Sequence, residues 1–254
     1  EITVRDWSSD VCSSDLPASL SIPAHKALDA VAQRLALGVD HTVVALFGGT
    51  GSGKSSLFNA LTQLDFADVG ARRPTTSRAA ACSWGDAAGP LLDFLGVSTE
   101  RRIRRDSILD AEDQGSLAGL VLLDVPDYDS VTTEHSLQVD RLVPLADILV
   151  WVVDPQKYAD AALHDGYLRG LGARQEDMLL LVNQVDTLPE SGLASLLDDV
   201  GSLLKEDGLS RVQVLPVSAV RGDNLEIVRD LLRQRVARES KTVQIGRASC
   251  RERV

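Results

Sequence analysis

Gly48-Gly49-Thr50-Gly51-Ser52-Gly53-Lys54-Ser55-Ser56 decides how the rest of the chain is read. The stretch satisfies the spacing G-x-x-x-x-G-K-[ST], and both flanks suit it. Upstream, residues 41–47 (H-T-V-V-A-L-F) form a β-branched, apolar run that predicts a buried strand. Downstream, Leu57, Ala60 and Leu61 fall on one face of a predicted helix. A strand that turns through glycines into a helix N-terminus aims several backbone N–H groups at one point. Such a concavity binds phosphate oxygens, helped by the helix dipole. Gly49, Thr50, Gly51, Ser52, Gly53 and Lys54 would line it, the glycines letting main chain approach the anion without an intervening Cβ. Lys54 would reach the β- and γ-phosphates and the Ser55 hydroxyl would ligate Mg²⁺. The plain alternative is a glycine-rich turn that only joins strand to helix, and lysine and serine at these offsets argue against it.

Both ends look foreign. Residues 6–16 (D-W-S-S-D-V-C-S-S-D-L) and 246–254 (G-R-A-S-C-R-E-R-V) resemble translated sequencing-library adapters from opposite ends. On this expectation residues 1–16 and 246–254 are non-native, the natural fragment is about 17–245, and two disordered natural tails are the alternative. Of the three cysteines, Cys12 and Cys250 fall in those ends, leaving Cys82 with no partner for an internal disulfide. A reducing, cytoplasmic setting is expected, with membrane association through segments beyond the fragment left open. The remainder holds 32 acidic and 22 basic residues, a net charge of −10 against −11 for the whole chain. That balance gives no strong nucleic-acid signal. No apolar run approaches the length of a membrane span.

Strand and helix patterns alternate. A helix is expected over 22–37, ended by Gly38, then the strand at 41–47 and a helix to about 64. A strand at 79–84 precedes 85–116, which lacks clear periodicity and reads as a partly helical insertion. Its basic cluster Arg101-Arg102-Ile103-Arg104-Arg105 is expected to be a solvated face rather than a partner site. Further strands are predicted at 120–124, 147–153, 178–183 and 212–217, with helices at 132–145, 159–171, 193–204 and 225–237. Strands apolar on both faces and separated by helices imply a mostly parallel sheet covered on both sides. Right-handed crossovers then align the strands' C-terminal ends along one edge, where ligands bind.

The remaining motifs sit at that edge. Asp124 ends its strand in Asp124-Val125-Pro126-Asp127 and can hold Mg²⁺ opposite Ser55, although an aspartate there also serves as a cap or turn residue. Asn183-Gln184-Val185-Asp186 follows a later strand. Two carboxylate oxygens of Asp186 match the ring N–H and amino donors of guanine, whereas adenine presents an acceptor. Sites built on such pairs discriminate strongly, because the wrong base leaves buried groups unpaired. Asn183 can bond the base and brace the phosphate loop. An N-x-x-D turn that merely caps a helix is the alternative. Ser218-Ala219 ends the last strand, where the Ala219 N–H could donate to the guanine carbonyl.

In this order and spacing the chain resembles a P-loop GTPase of the translation-factor-related class, nearest the bacterial Era/TrmE-type, 50S ribosome-binding GTPase-like group. The resemblance runs from about 41 to 237. It implies a three-layer α/β/α P-loop NTPase fold with a mostly parallel six-stranded sheet, a G domain over 41–241 behind an N-terminal helix at 17–40, and a switch between GTP and GDP states with Mg²⁺. It makes Thr76 the switch residue meeting Mg²⁺ and the γ-phosphate, with Thr75 the fallback, and sets Ser56 against the α-phosphate. Relatives act through ribosome, membrane or protein effectors, or through nucleotide-dependent dimers. Three departures stand out, with Gly51 as a further one. Asp127 replaces the glycine of D-x-x-G and must turn away from the γ-phosphate or weaken its binding. Gln184 replaces the lysine of N-K-x-D, removing a stem that packs along the base. Tyr128 and Gly51 stand where relatives carry a water-orienting glutamine and a potassium-linked asparagine. Slow intrinsic GTP hydrolysis is therefore expected, with a nucleotide-gated binding module of negligible turnover, or an ATP-using protein, as alternatives.

His25, His41, His135 and His164 lack metal-ligand spacing, and Trp151 reads as core. The stretch 154–160 (D-P-Q-K-Y-A-D) reads as a helix-entry loop at the same edge.

Overall fold

Seven residues, T-V-V-A-L-F-G, form β1 (Thr42–Gly48), buried along its whole length because neighbouring strands and both helical layers cover it. The computed structural model describes residues 41–64, 67, 78–85, 88–105, 117–130 and 133–251, together with 32, 34 and 37. The chain continues through α1 (Lys54–Thr62), β2 (Ala80–Trp84), α2 (Gly89–Leu95), β3 (Arg102–Arg105), β4 (Leu120–Asp124), α3 (Thr133–Leu142) and β5 (Ile148–Val153). After these come α4 (Ala161–Gly166), β6 (Met178–Val182), α5 (Glu190–Glu206), β7 (Gln213–Pro216) and α6 (Leu225–Arg251). Short 3₁₀ segments lie at Thr99–Arg101, Leu168–Asp177 and Val185–Thr187.

The sheet has the order β3-β2-β4-β1-β5-β6-β7. Five strands run parallel, and β2 pairs antiparallel with β4 while β3 follows β2. Register brings the C-terminal ends together: Leu46 lies opposite Asp124, Gly48 opposite Val152, Val153 opposite Val182, and Val182 opposite Pro216. Strand side chains alternate between faces. Val43, Ala45 and Phe47 pack on one side with Leu95, Leu142 and Leu204, which come from α2, α3 and α5. Val44 and Leu46 pack on the other with Leu57, Phe58 and Leu61 of α1 and Val228 and Leu232 of α6. Each such fully buried aliphatic or phenyl group contributes about 2 kcal/mol. Three layers follow, α/β/α.

The structure departs from expectation in places. The sheet has seven strands, because β3 forms within the stretch expected to be a partly helical insertion. Its basic residues are not simply a solvated face. Arg102 donates to Val97 O (Nε, 3.0 Å) and to the Asp93 carboxylate, and Arg105 donates to Thr62 O at the end of α1. The expected helix over 159–171 stops at Gly166, and a 3₁₀ segment takes over. The closing helix runs on to Arg251, past its expected end at 237. Of the expected 22–37 helix, residues 32, 34 and 37 are described and are helical. No helix among the described residues is long and apolar enough to cross a membrane.

Candidate functional site

At the exit of β1 the chain adopts the left-handed conformation twice, at Gly51 (φ 84°) and Gly53 (φ 83°). Gly53 ends this turn as the residue before α1, and Leu57 N donates to its carbonyl at 2.9 Å. A side chain at Gly48 would collide with Val152 O, and one at Gly53 with the Asn183 amide, so glycine is required at both positions. The result is a cradle of main-chain N–H groups open at the sheet edge.

Four side chains converge beneath it. Lys54 Nζ donates to Asp127 Oδ1 in an ion pair whose side chains are 4% and 8% exposed. Ser55 Oγ donates to Asp124 Oδ2 at 2.7 Å. Asp124 is fully buried, and burial pushes its carboxyl up to about 6 while Lys54 and the Ser55 hydroxyl pull it down. Asp124 Oδ1 and Ser52 Oγ are both buried without a hydrogen-bond partner. An unpaired carboxylate oxygen beside the first-turn serine suits a hard, oxygen-seeking divalent cation. Orphaned buried polar atoms of this kind are uncommon and mark places where a ligand completes the bonding. The donor set therefore fits both Mg²⁺ and a phosphate tail.

The residues after β6 are fastened to this loop. Asn183, 1% exposed, donates from Nδ2 to Ser52 O (2.9 Å) and accepts at Oδ1 from Ala219 N (3.1 Å). Gln184 adopts φ 63° and donates from Nε2 to Gly51 O at 2.7 Å. The glutamine thus keeps a bond from this position to the phosphate loop. Ser218 Oγ donates to Asp186 Oδ1 (2.6 Å) and accepts from Arg221 N (3.0 Å), holding the half-buried carboxylate in place. The Ala219 N–H, expected to point to a base carbonyl, bonds Asn183 here. Ser56 and Ala219 both border a cavity of about 640 Å³ beside α1, lined also by Asn59, Ala60, Gln63, Leu64 and Ala67.

The structure thus brings Gly51, Ser52, Gly53, Lys54, Ser55, Asp124, Asn183, Gln184, Asp186, Ser218 and Ala219 to one edge. Thr75 and Thr76 lie outside the described residues. Two participants escaped the sequence reading. Asp129 Oδ1 accepts from both Thr50 N (2.7 Å) and Thr50 Oγ1 (2.9 Å), and Lys157 Nζ donates to Thr50 O (2.8 Å). Asp127 does not turn away from the phosphate site, as one alternative expected, but reaches the lysine at its floor. Tyr128 is 7% exposed, its ring 5.8 Å from Tyr167 and its hydroxyl 3.4 Å from Asp160, and burial pushes its phenol up. Trp151 is core, packed 5.1 Å from Phe47.

Fold and cradle define a P-loop G domain. The family model described as 50S ribosome-binding GTPase matches residues 43–184, more than half the chain, and the protein belongs to that family. GTP hydrolysis is the activity that the family's description names. No curated protein matches the sequence. Among solved structures, a member of an oligomerised bacterial dynamin pair, described as sensing and tethering membranes at long range, superposes with TM-score 0.56 at 17% identity, covering 90% of this chain and 50% of that one. Era, solved with MgGDPNP and nucleotides 1506–1542 of 16S ribosomal RNA, superposes with TM-score 0.51 at 18% identity, covering 75% and 55% respectively. The chain spans about half the length of these solved relatives, and at such identities the likeness is one of fold.

Proposed function

We propose that the protein is a Mg²⁺-dependent, guanine-specific GTPase that turns over slowly and serves as a nucleotide-dependent switch. The observation that carries this is Asn183, which bonds the phosphate loop and the Ala219 loop at once and so fixes Asp186 relative to the cradle. Lys54 and the loop amides neutralise and position the terminal phosphates, the main contribution to phosphoryl transfer. Ser55 and Asp124 would hold Mg²⁺, with Thr76 as a further ligand, and the cation would supply charge neutralisation of the terminal phosphates. Asp186 reads the base, and Ser218 keeps that carboxylate aligned. Ser56 faces the α-phosphate.

Calorimetry with Mg²⁺ tests the reading. Asp186→Asn is expected to lose GTP binding and gain binding of xanthosine triphosphate, whose extra carbonyl accepts from the new amide. Unchanged GTP affinity in that variant would remove guanine specificity from the proposal. Lys54→Ala is expected to lose triphosphate binding.

A second reading, a nucleotide-gated binding module with negligible turnover, draws on a separate observation. Tyr128 is packed into the core where relatives carry a water-orienting side chain, so no described group beside Asp127 is free to direct water. Multiple-turnover phosphate release, with and without candidate partners or a second copy of the chain, separates the two. A net charge of −11 gives little sequence-independent attraction to nucleic acid and does not choose among protein, membrane and ribosome effectors.

A further inference from the structure

Two carboxylates of the loop that follows β4 stand on the phosphate cradle. Asp127 accepts from the buried Lys54 ammonium, and Asp129 accepts from the Thr50 amide and hydroxyl. Ammonium and loop amides are the donors with which such a cradle holds phosphate oxygens. The two acids therefore occupy part of the bonding capacity that a terminal phosphate would use. They also bring negative charge to the place where that phosphate's own charge would arrive, and like charges in a poorly solvated site repel strongly.

The loop is built to keep them there. Val125 N donates to Leu46 O (3.3 Å) and Tyr128 N to Gly48 O (3.4 Å), tying it along the end of β1. Tyr128 is driven into the core against Tyr167, and its hydroxyl reaches Asp160. Tyr128 and Asp129 lie in a turn closed by Ser130 N donating to Asp127 O (3.4 Å). That turn buries the ring while its two neighbours, Asp127 and Asp129, rest against the cradle. Lys157 clasps the same turn from another side through Thr50 O.

On the reading of this edge as a guanine-nucleotide site, we propose that Asp127 and Asp129 are nucleotide-state specificity residues that hold the place of the γ-phosphate. The protein then binds GDP in preference to GTP. A triphosphate enters only when the 125–130 loop swings off the cradle and releases Lys54 and Thr50. Because that loop leads into α3, the same displacement that admits GTP moves the helix. In the ordinary D-x-x-G design a glycine amide is drawn toward the γ-phosphate. Here the sign is reversed, and the γ-phosphate pushes an acidic loop away.

The test measures affinities for GDP and for the hydrolysis-resistant analogue GppNHp by calorimetry with Mg²⁺. The wild-type chain is expected to prefer GDP by about tenfold or more. Asp127→Asn and Asp129→Asn, which keep shape and remove charge, each raise GppNHp affinity severalfold and GDP affinity less, and the double variant removes the preference. GDP binding reports whether each variant is folded. Tyr128→Ala, which frees the loop without altering its charge, shifts the ratio the same way. Equal wild-type affinities, or a ratio unchanged by all of these substitutions, overturn the inference and leave the guanine-nucleotide reading intact. Failure of the wild-type chain to bind either nucleotide overturns that reading and the inference together.

Discussion

Burial on β2 pushes the Cys82 thiol up to about 12, with Arg105 pulling the other way. In the unfolded chain the thiol loses its proton near its ordinary 9.0. The folded state thus binds more protons between these values, and stability that is fully present below 9.0 is lost as pH rises through the window. By pH 10 the loss from this group is about 1.4 kcal/mol. Urea unfolding at pH 8 and pH 10 is expected to show that much less pH dependence in Cys82→Ala than in the wild type, and equal dependence would contradict it. At this same scale the sequence was most readable where chemistry restricts the residue. Glycine suits the left-handed backbone at Gly51 and Gly53, a lysine followed by a hydroxyl residue completes the phosphate loop, and Asp124 and Asn183 fell where strand ends were expected. The Lys54–Asp127 and Thr50–Asp129 contacts were not readable, since 73 and 79 residues separate the partners and nothing local encodes the direction of the loop.

Helix ends show a recurring device that periodicity does not reveal. The last carbonyls of a helix have no intrahelical donor, and a guanidinium supplies both hydrogen bonds and favourable charge there. Arg229 reaches Leu61 O and Ala60 O, and Arg105 reaches Thr62 O, so two arginines close the end of α1. Arg141 donates to Phe94 O near the end of α2. Arg174 donates to Val143 O and Ala146 O, both at 2.7 Å, tying the exit of α3 to the start of β5. Arg174→Ala leaves those carbonyls short of donors and is expected to destabilise the fold by about 1–3 kcal/mol. The check is a lower urea midpoint at unchanged slope, with nucleotide affinities unaltered in the folded variant. A midpoint equal to the wild type would show that water replaces the guanidinium without penalty. These bonds also explain why β3 was hidden: R-I-R-R offers one apolar residue, Ile103, and three arginines, two of which serve helix ends and turns rather than solvent. By contrast β1, β4, β5 and β6 are apolar on both faces, which made their existence plain.

At the scale of the molecule, the parallel sheet separates the site from the support that holds its far edge. Arg34 of the N-terminal helix, 4% exposed, donates to His41 O (3.0 Å) and to Asp147 Oδ2 (2.6 Å). The same carboxylate oxygen accepts from Val43 N at 2.6 Å, so one acid joins the helix, the entry of β1 and the entry of β5. Burial pushes the Asp147 carboxyl up, and the Arg34 guanidinium opposes it. Arg34→Ala removes that opposition and drives the folded value higher. Because the folded value is raised, Asp147's contribution is greatest below its ordinary 3.8 and is lost as pH rises. The variant's deficit is therefore expected to be smallest at low pH, where the acid is protonated, and to grow to about 1–3 kcal/mol at pH 8, where a partly buried charge lacks its cation. Gly48 is at the other end of β1, and seven strand residues span roughly 20 Å. Screening over that distance leaves the cradle unaffected. The GDP-to-GppNHp ratio should thus match the wild type while stability falls with pH. A deficit independent of pH would mean that Arg34 acts through packing and the His41 carbonyl alone, and a changed nucleotide ratio would mean that the two ends of β1 are mechanically coupled.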